Sequence, residues 1–352
     1  MRAELARFLR GVDLAKHELA LMEAIIDATR VTIEDSHEAS AIRDTLRRLQ
    51  DVAPQVTDLQ RSAYSRAIVA LYGLLEQFVE GLARDAAERL AQIALSYEDL
   101  PDALVRHHTP LTLDVLNGIS SGRYNGDLVE RDLVAGLQHV LEKFSPVRIN
   151  AGVYSSHTAN VRADTIRQMF DRLGVSLASL QTDPDLVSAM DRSFPGEGNM
   201  FFVLDDLAQR RNEVAHGADY ALLSFEILRA YVDVCAEYAK ALTEQVVSSL
   251  VYSAVRLRGS ELGRPDNVFK AGSVAGFMRL RETVENGDVL GIIFGPSNAK
   301  CVSVAEVQVD KAPVEVGLKG TAAGLRLPVR ISARNRLLLL PRDFSYLVLP
   351  AR

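Results

Sequence analysis

The chain has 352 residues, enough for two or three domains of ordinary size. Hydrophobic residues make up 48% and charged residues 24%, the balance of a soluble globular protein, which excludes a disordered or fibrous chain. Forty Lys and Arg against 46 Asp and Glu leave a net charge of −6, so the chain as a whole is not a strongly basic nucleic-acid binder.

From the N-terminus, MRAELARFLRG breaks its apolar residues with charge every few positions and reads as no signal peptide. No run reaches the 18 or so apolar residues that a membrane span needs. Cys235 and Cys301 have no CxxC spacing, which argues against a disulfide framework or a cysteine-held zinc. A cytoplasmic protein without membrane contact is the expectation.

Helical spacing dominates residues 1–250. The first helix is expected over 2–29. In Arg61 to Leu90, apolar residues at Ile68, Leu71, Leu75, Phe78 and Leu82 fall on one helix face. Shorter helices are predicted over 129–144, 162–173 and 198–216, and a second long stripe runs Leu228, Tyr231, Cys235, Tyr238, Leu242. Such stripes must be buried against one another, which predicts a mainly α helical bundle. Residues 98–197 read as an irregular insertion, with loops at SGRYNGD (121–127), VRINAGVYSSHTANV (147–161) and SFPGEGN (193–199), one or two short helices and a small hairpin.

After position 250 the period becomes two. Strands are expected over 273–280, 288–295, 301–309, 325–332 and 345–349, with a turn at Asn286-Gly287. This predicts a small antiparallel β-barrel over 251–352. The charge changes with the texture: residues 251–352 hold 15 Lys and Arg against 9 Asp and Glu, a net of +6, leaving −12 on residues 1–250. A module with its own anionic partner is one consequence, and a solvated barrel surface is the other.

The segment DDLAQRRNEVAHGADY, residues 205–220, holds the most suggestive chemistry. Arg211, Asn212 and His216 fall at the end of one predicted helix, with Gly217 where a terminating glycine belongs. Asn212 and His216, four apart, share a face. An imidazole titrates near neutral pH, and a helix C-terminus favours its charged form. Arginine offers a planar fork for phosphate oxygens. Such a pair can cleave RNA without a metal: the ribose 2′-hydroxyl attacks phosphorus, the histidine moves a proton, and the arginine stabilises the developing charge. From spacing alone, an Arg-Asn-x-x-x-His string at a helix end is usually a surface turn.

The string RRNEVAHG resembles the signature of HEPN domains, helical bundles defined by Arg, four to six residues and His, commonly with Asn after the Arg. RSAYSRAIVALYGLLEQFVEGL (61–82), with Glu76 in its apolar stretch, is similar to the second helix of HEPN nucleases of the MAE_28990 or RiboL-PSP-HEPN type. NVRADTIRQMFDRLGVSL (160–177) resembles their insertion before the motif helix. The resemblance implies a homodimeric, metal-independent endoribonuclease whose cleft is built from both subunits. Arg211 and His216 would be catalytic, with Asn212, Arg210 and Glu76 positioning the substrate. It further implies RNA as partner, such as tRNA or rRNA, an antitoxin or regulatory protein, and a role as a toxin or antiphage effector. HEPN toxins silenced by a nucleotidyltransferase carry Tyr two positions after the His. Here Ala218 stands there, with Tyr220 nearest, which argues against that control.

No Walker, nucleophile-elbow or dinucleotide-binding signature occurs, and the seven histidines show no metal-ligand spacing, so neither cofactor nor metal is expected. GSVAGFMRL, NGDVL, CVSVAEVQV and GLRLPVRI loosely resemble the second-domain barrel of translational GTPases, a likeness that implies an RNA- or partner-binding module. A non-catalytic scaffold of the same fold, binding RNA or a protein, is the alternative function.

Overall fold

Apolar residues recurring every three or four positions build the frame. The computed structural model describes residues 1–30, 44, 45, 47, 48, 50, 51, 55–120, 128–217, 221–295 and 298–349. Helix α1 (Arg2–Arg30) buries Phe8, Val12, Leu19 and Ile26, the first three in the core it shares with α2 (Val56–Ile93). The stripe of α2 runs Tyr64, Ile68, Leu71, Leu75, Phe78, Leu82. It continues as Ala83, Ala86 and Ala87, small residues that let neighbouring elements approach closely.

The insertion is more helical than its turn residues suggest. It contains α3 (Asp102–Ser120), α4 (Glu130–Leu141), α5 (Ala163–Asp171) and α6 (Pro184–Ser193), and no strand among the described residues. The expected hairpin is therefore corrected: Gly, Asn and Pro mark the joints of short helices. At one joint Asp183 caps α6 by accepting from the Leu186 N–H at 3.0 Å, with Pro184 at the first helical position. At another, residues 151–155 make a 3-10 turn. The loop SGRYNGD, 121–127, lies outside the described residues.

Helices α7 (Phe202–Ala215) and α8 (Phe225–Arg258) follow. Ser224 caps α8, accepting from the Ile227 N–H at 3.3 Å. Because its apolar stripe continues through Val246, Leu250, Val251 and Val255, α8 runs past position 250, where the composition changes.

Strands begin at once: β1 (Ser260–Gly263), β2 (Asn267–Phe269), β3 (Val274–Phe277), β4 (Val284–Glu285), β5 (Val289–Ile293), β6 (Ala299–Ser303), β7 (Glu306–Val309), β8 (Ala312–Val314), β9 (Val316–Gly317), β10 (Ala323–Arg326) and β11 (Arg336–Leu340). All pairings between them are antiparallel, as expected. They form sheets of order β1-β11-β5-β6, β2-β3-β10-β7-β8 and β4-β9, and no described pairing joins these into a closed ring. The turn at Asn286-Gly287 is present, with Gly287 at φ 84°.

The strand expectations change in several places: 301–309 divides into β6 and β7, 325–332 is strand only as far as Arg326, and one strand lies where none was expected. SYLVL, 345–349, is mostly a 3-10 turn over Arg342–Leu347, because Phe344 and Leu347, three apart, must both enter the core. RLLLL, 336–340, is a central strand that shows no alternation. Its sheet is covered on both faces: Leu338 and Leu340 join the helical core, whereas Leu337 joins a second core between the sheets. Gly291 on β5 admits α8 so closely that an added Cβ would stand 2.1 Å from Val255 Cγ2. Arg258 completes the joint by donating to the carbonyls of Ile93 at 2.7 Å, Ala94 at 3.2 Å and Gln92 at 3.3 Å. A cation there satisfies the orphan acceptors at the end of α2.

Candidate functional site

The motif occupies the last turn of α7. His216 closes the helix as its C-cap, donating its backbone N–H to the Asn212 carbonyl at 2.9 Å. Gly217 follows at φ 65°, the left-handed conformation that glycine adopts without steric cost. The His216 side chain is exposed and has no hydrogen-bond partner among the described residues. Ala218 and Tyr220 lie outside the described residues.

The adjacent arginines differ sharply. Arg210 Nε donates to Asp206 at 2.5 Å, and its Nη1 donates to the Tyr64 hydroxyl at 3.1 Å and the Ala221 carbonyl at 3.3 Å. Tyr231 of α8 also donates to Asp206. This network ties α7 to α2 and α8. Burial raises the phenols of Tyr64 and Tyr231, which keeps both protonated, Tyr231 as a donor to Asp206 and Tyr64 as an acceptor from Arg210. Arg211 has no carboxylate partner among the described residues. It reaches Asn212 Oδ1 at 3.4 Å and sets its guanidinium carbon 5.2 Å from the centre of the Tyr72 ring. Its fork is thus available to an anion.

Glu76 stands one helical turn beyond Tyr72. It is partly exposed at the edge of the apolar stripe and accepts from the Tyr72 hydroxyl at 3.1 Å. Beside it comes His157, from the insertion, whose Nε2 is 3.0 Å from Glu80 Oε1 and 4.0 Å from Glu76 Oε1. His157 Nδ1 faces the Ala159 carbonyl at 2.6 Å, so both ring nitrogens meet acceptors. The Glu80 contact, opposed by partial burial and helped by Ala159, raises its pKa above the ordinary imidazole value. The Tyr72 phenol is also raised, chiefly by burial and against the Val161 N–H it accepts from.

The insertion is held against both helices here. Val161 N–H donates to Tyr72 at 2.9 Å, Ala163 N–H to Asp205 of α7 at 3.0 Å, and Arg162 to Gln209 of α7 at 3.2 Å. Sequence reasoning named Arg211, Asn212, His216, Arg210 and Glu76 as candidates and did not single out Tyr72, Glu80 and His157, which the structure places beside Arg211 and Glu76. A signal was present: Tyr72, Glu76 and Glu80 repeat every four residues along an apolar helix, a polar line that needs partners. Among the described residues no group of three or more His, Cys, Asp or Glu could hold a metal ion.

The RiboL-PSP-HEPN family profile matches residues 35–248, more than half of the chain. The chain belongs to that family. HEPN domains are commonly RNases, and the match takes in α2, the insertion, α7 and most of α8, leaving the sheets beyond it. No curated protein and no solved structure matches the chain. No helix of this HEPN protein is long and apolar enough to cross a membrane, among the described residues.

Proposed function

We propose that this HEPN protein is a metal-independent endoribonuclease that acts as a homodimer, each cleft drawing on the motif of both copies. The observation that carries the reading is the contrast within one helical turn. Arg210 is saturated by a carboxylate, a phenol and a carbonyl, whereas Arg211 meets only a neighbouring amide and a ring, with no carboxylate among the described residues, and His216 is exposed without a partner among them. His216 takes the proton of the ribose 2′-hydroxyl as its oxygen attacks phosphorus. Arg211 binds the non-bridging oxygens as charge grows on them. The second copy's imidazolium protonates the departing 5′-oxygen, giving a 2′,3′-cyclic phosphate and a 5′-hydroxyl. Asn212 orients the phosphate, Glu76 acts through Tyr72, and Arg210 acts by locking the motif helix.

A dimer is supported by exposed apolar residues that follow the motif closely in the chain, Leu222 and Ile227. RNA as substrate agrees with the net +6 on residues 251–352, which we read as a module that contacts RNA such as tRNA or rRNA. The role we assign is that of a toxin or antiphage effector restrained by a protein partner in the cytoplasm.

The test is cleavage of labelled RNA by purified protein in EDTA. The wild type is expected to leave cyclic phosphate ends. Arg211→Ala and His216→Ala should each lower the rate by about 10² to 10⁴-fold with an unchanged unfolding midpoint. A requirement for a divalent ion, or full activity in either variant, defeats the mechanism. Tight, salt-sensitive RNA binding without cleavage leaves the scaffold reading instead.

A further inference from the structure

Arg211 meets the protein through a ring and a single neighbouring amide. A long side chain held so lightly would sample many rotamers unless the ring itself were fixed. Tyr72 is fixed. It is 2% exposed in the core of α2, and its hydroxyl accepts from the Val161 N–H while donating to Glu76. Glu76 is in turn beside His157, which Glu80 and the Ala159 carbonyl hold from either side. A phenol that donates to a carboxylate also has a more electron-rich ring, which attracts a cation more strongly.

We propose that Tyr72 is a positioning residue for Arg211: its ring face sets the guanidinium in place before RNA arrives, and the Glu76–His157 pair holds that ring through its hydroxyl. The assignment rests on reading Arg211 as the group that meets the scissile phosphate. Order supplied beforehand lowers the barrier of the chemical step without tightening substrate binding, so its loss falls on kcat.

Two variants of the full chain separate ring from hydroxyl. Tyr72→Leu keeps apolar bulk without the π face and should lower kcat for RNA cleavage about tenfold, the scale of a cation–π contact, with KM within about twofold. Tyr72→Phe keeps the face and should fall between Leu and wild type. Wild-type kcat in Tyr72→Leu, a loss confined to KM, or equal losses in both variants would overturn the assignment. A second readout needs no activity. In protein labelled with ¹⁵N-arginine, the Arg211 Nε–H signal, assigned by its disappearance in Arg211→Lys, should be shifted by the ring current in wild type and Tyr72→Phe and return to the ordinary position in Tyr72→Leu. An unshifted wild-type signal sinks the proposal. A shifted signal in a protein that cuts no RNA sinks the nuclease reading and leaves the positioning intact.

Discussion

His108 and His157 respond to pH with opposite signs. His108 is fully buried in α3, and its Nε2 accepts the Asn150 N–H at 2.9 Å. The hydrogen therefore sits on Nδ1, which has no partner, and burial lowers the pKa to about 4. The unfolded chain takes up the proton first as pH falls. This stabilisation is whole above about pH 6.5 and lost by about pH 4, a difference of about 3 kcal/mol. His108→Gln, which keeps an acceptor and cannot titrate, should show its largest deficit in urea unfolding at pH 7. The gap to wild type should close toward pH 4, and a constant gap contradicts the account. His157 has a raised value, so its contribution is whole below pH 6.5 and fades as pH rises through that value. Against His157→Gln the gap should be wide at pH 6 and narrow in alkaline buffer. Neither role could be read from the sequence, because the partners are remote: Asn150 is 42 positions from His108, and Glu80 is 77 from His157. Arg211, Asn212, His216 and Gly217 were legible because their chemistry is compressed into seven consecutive residues of one helix end.

At the scale of elements, legibility followed the number of faces covered. A helix buried on one side prints its stripe in the sequence, and α1, α2, α7 and α8 lie close to where the stripes place them. α3 was missed because Pro110, His108 and Thr112 interrupt its pattern. The latter two are buried polar residues joined by the Thr112 hydroxyl, which donates to the His108 carbonyl at 2.8 Å. β11 was missed because burial on both faces erases alternation. The same double coverage makes Gly291 a sensitive position. Gly291→Ala would drive a methyl into Val255, and neither the strand, paired to β11 and β6, nor α8 can easily retreat. Overpacking of this kind costs about 1–3 kcal/mol. A lowered denaturant midpoint with an unchanged m-value is the expected result, and unaltered stability would mean that the sheet and α8 separate more readily than their packing indicates.

For the whole molecule, the joint between helices and sheets decides whether the halves can be parted. Val289, Ala299, Cys301, Leu338, Leu340, Phe344 and Leu347 belong to the same apolar core as α2 and α8, and no linker separates Arg258 from Ser260. A fragment ending at position 258 would bare the face of α8 that these residues cover. It should bind a hydrophobic dye, associate at micromolar concentration and unfold at a lower temperature than the full chain. A fragment that stays monomeric and equally stable would show that the sheets are a detachable appendage.

The unbroken course of α8 has one more consequence. Its first turns lie beside the motif helix, where Tyr231 meets Asp206, and Ser248 Oγ accepts the Ala299 N–H of the sheet at 3.1 Å. From Phe225 to Ser248 the helix rises about 35 Å. It is a strut of set length with no hinge, so a dinucleotide can touch one end only, and simultaneous grip at both is open only to ligands several nanometres long.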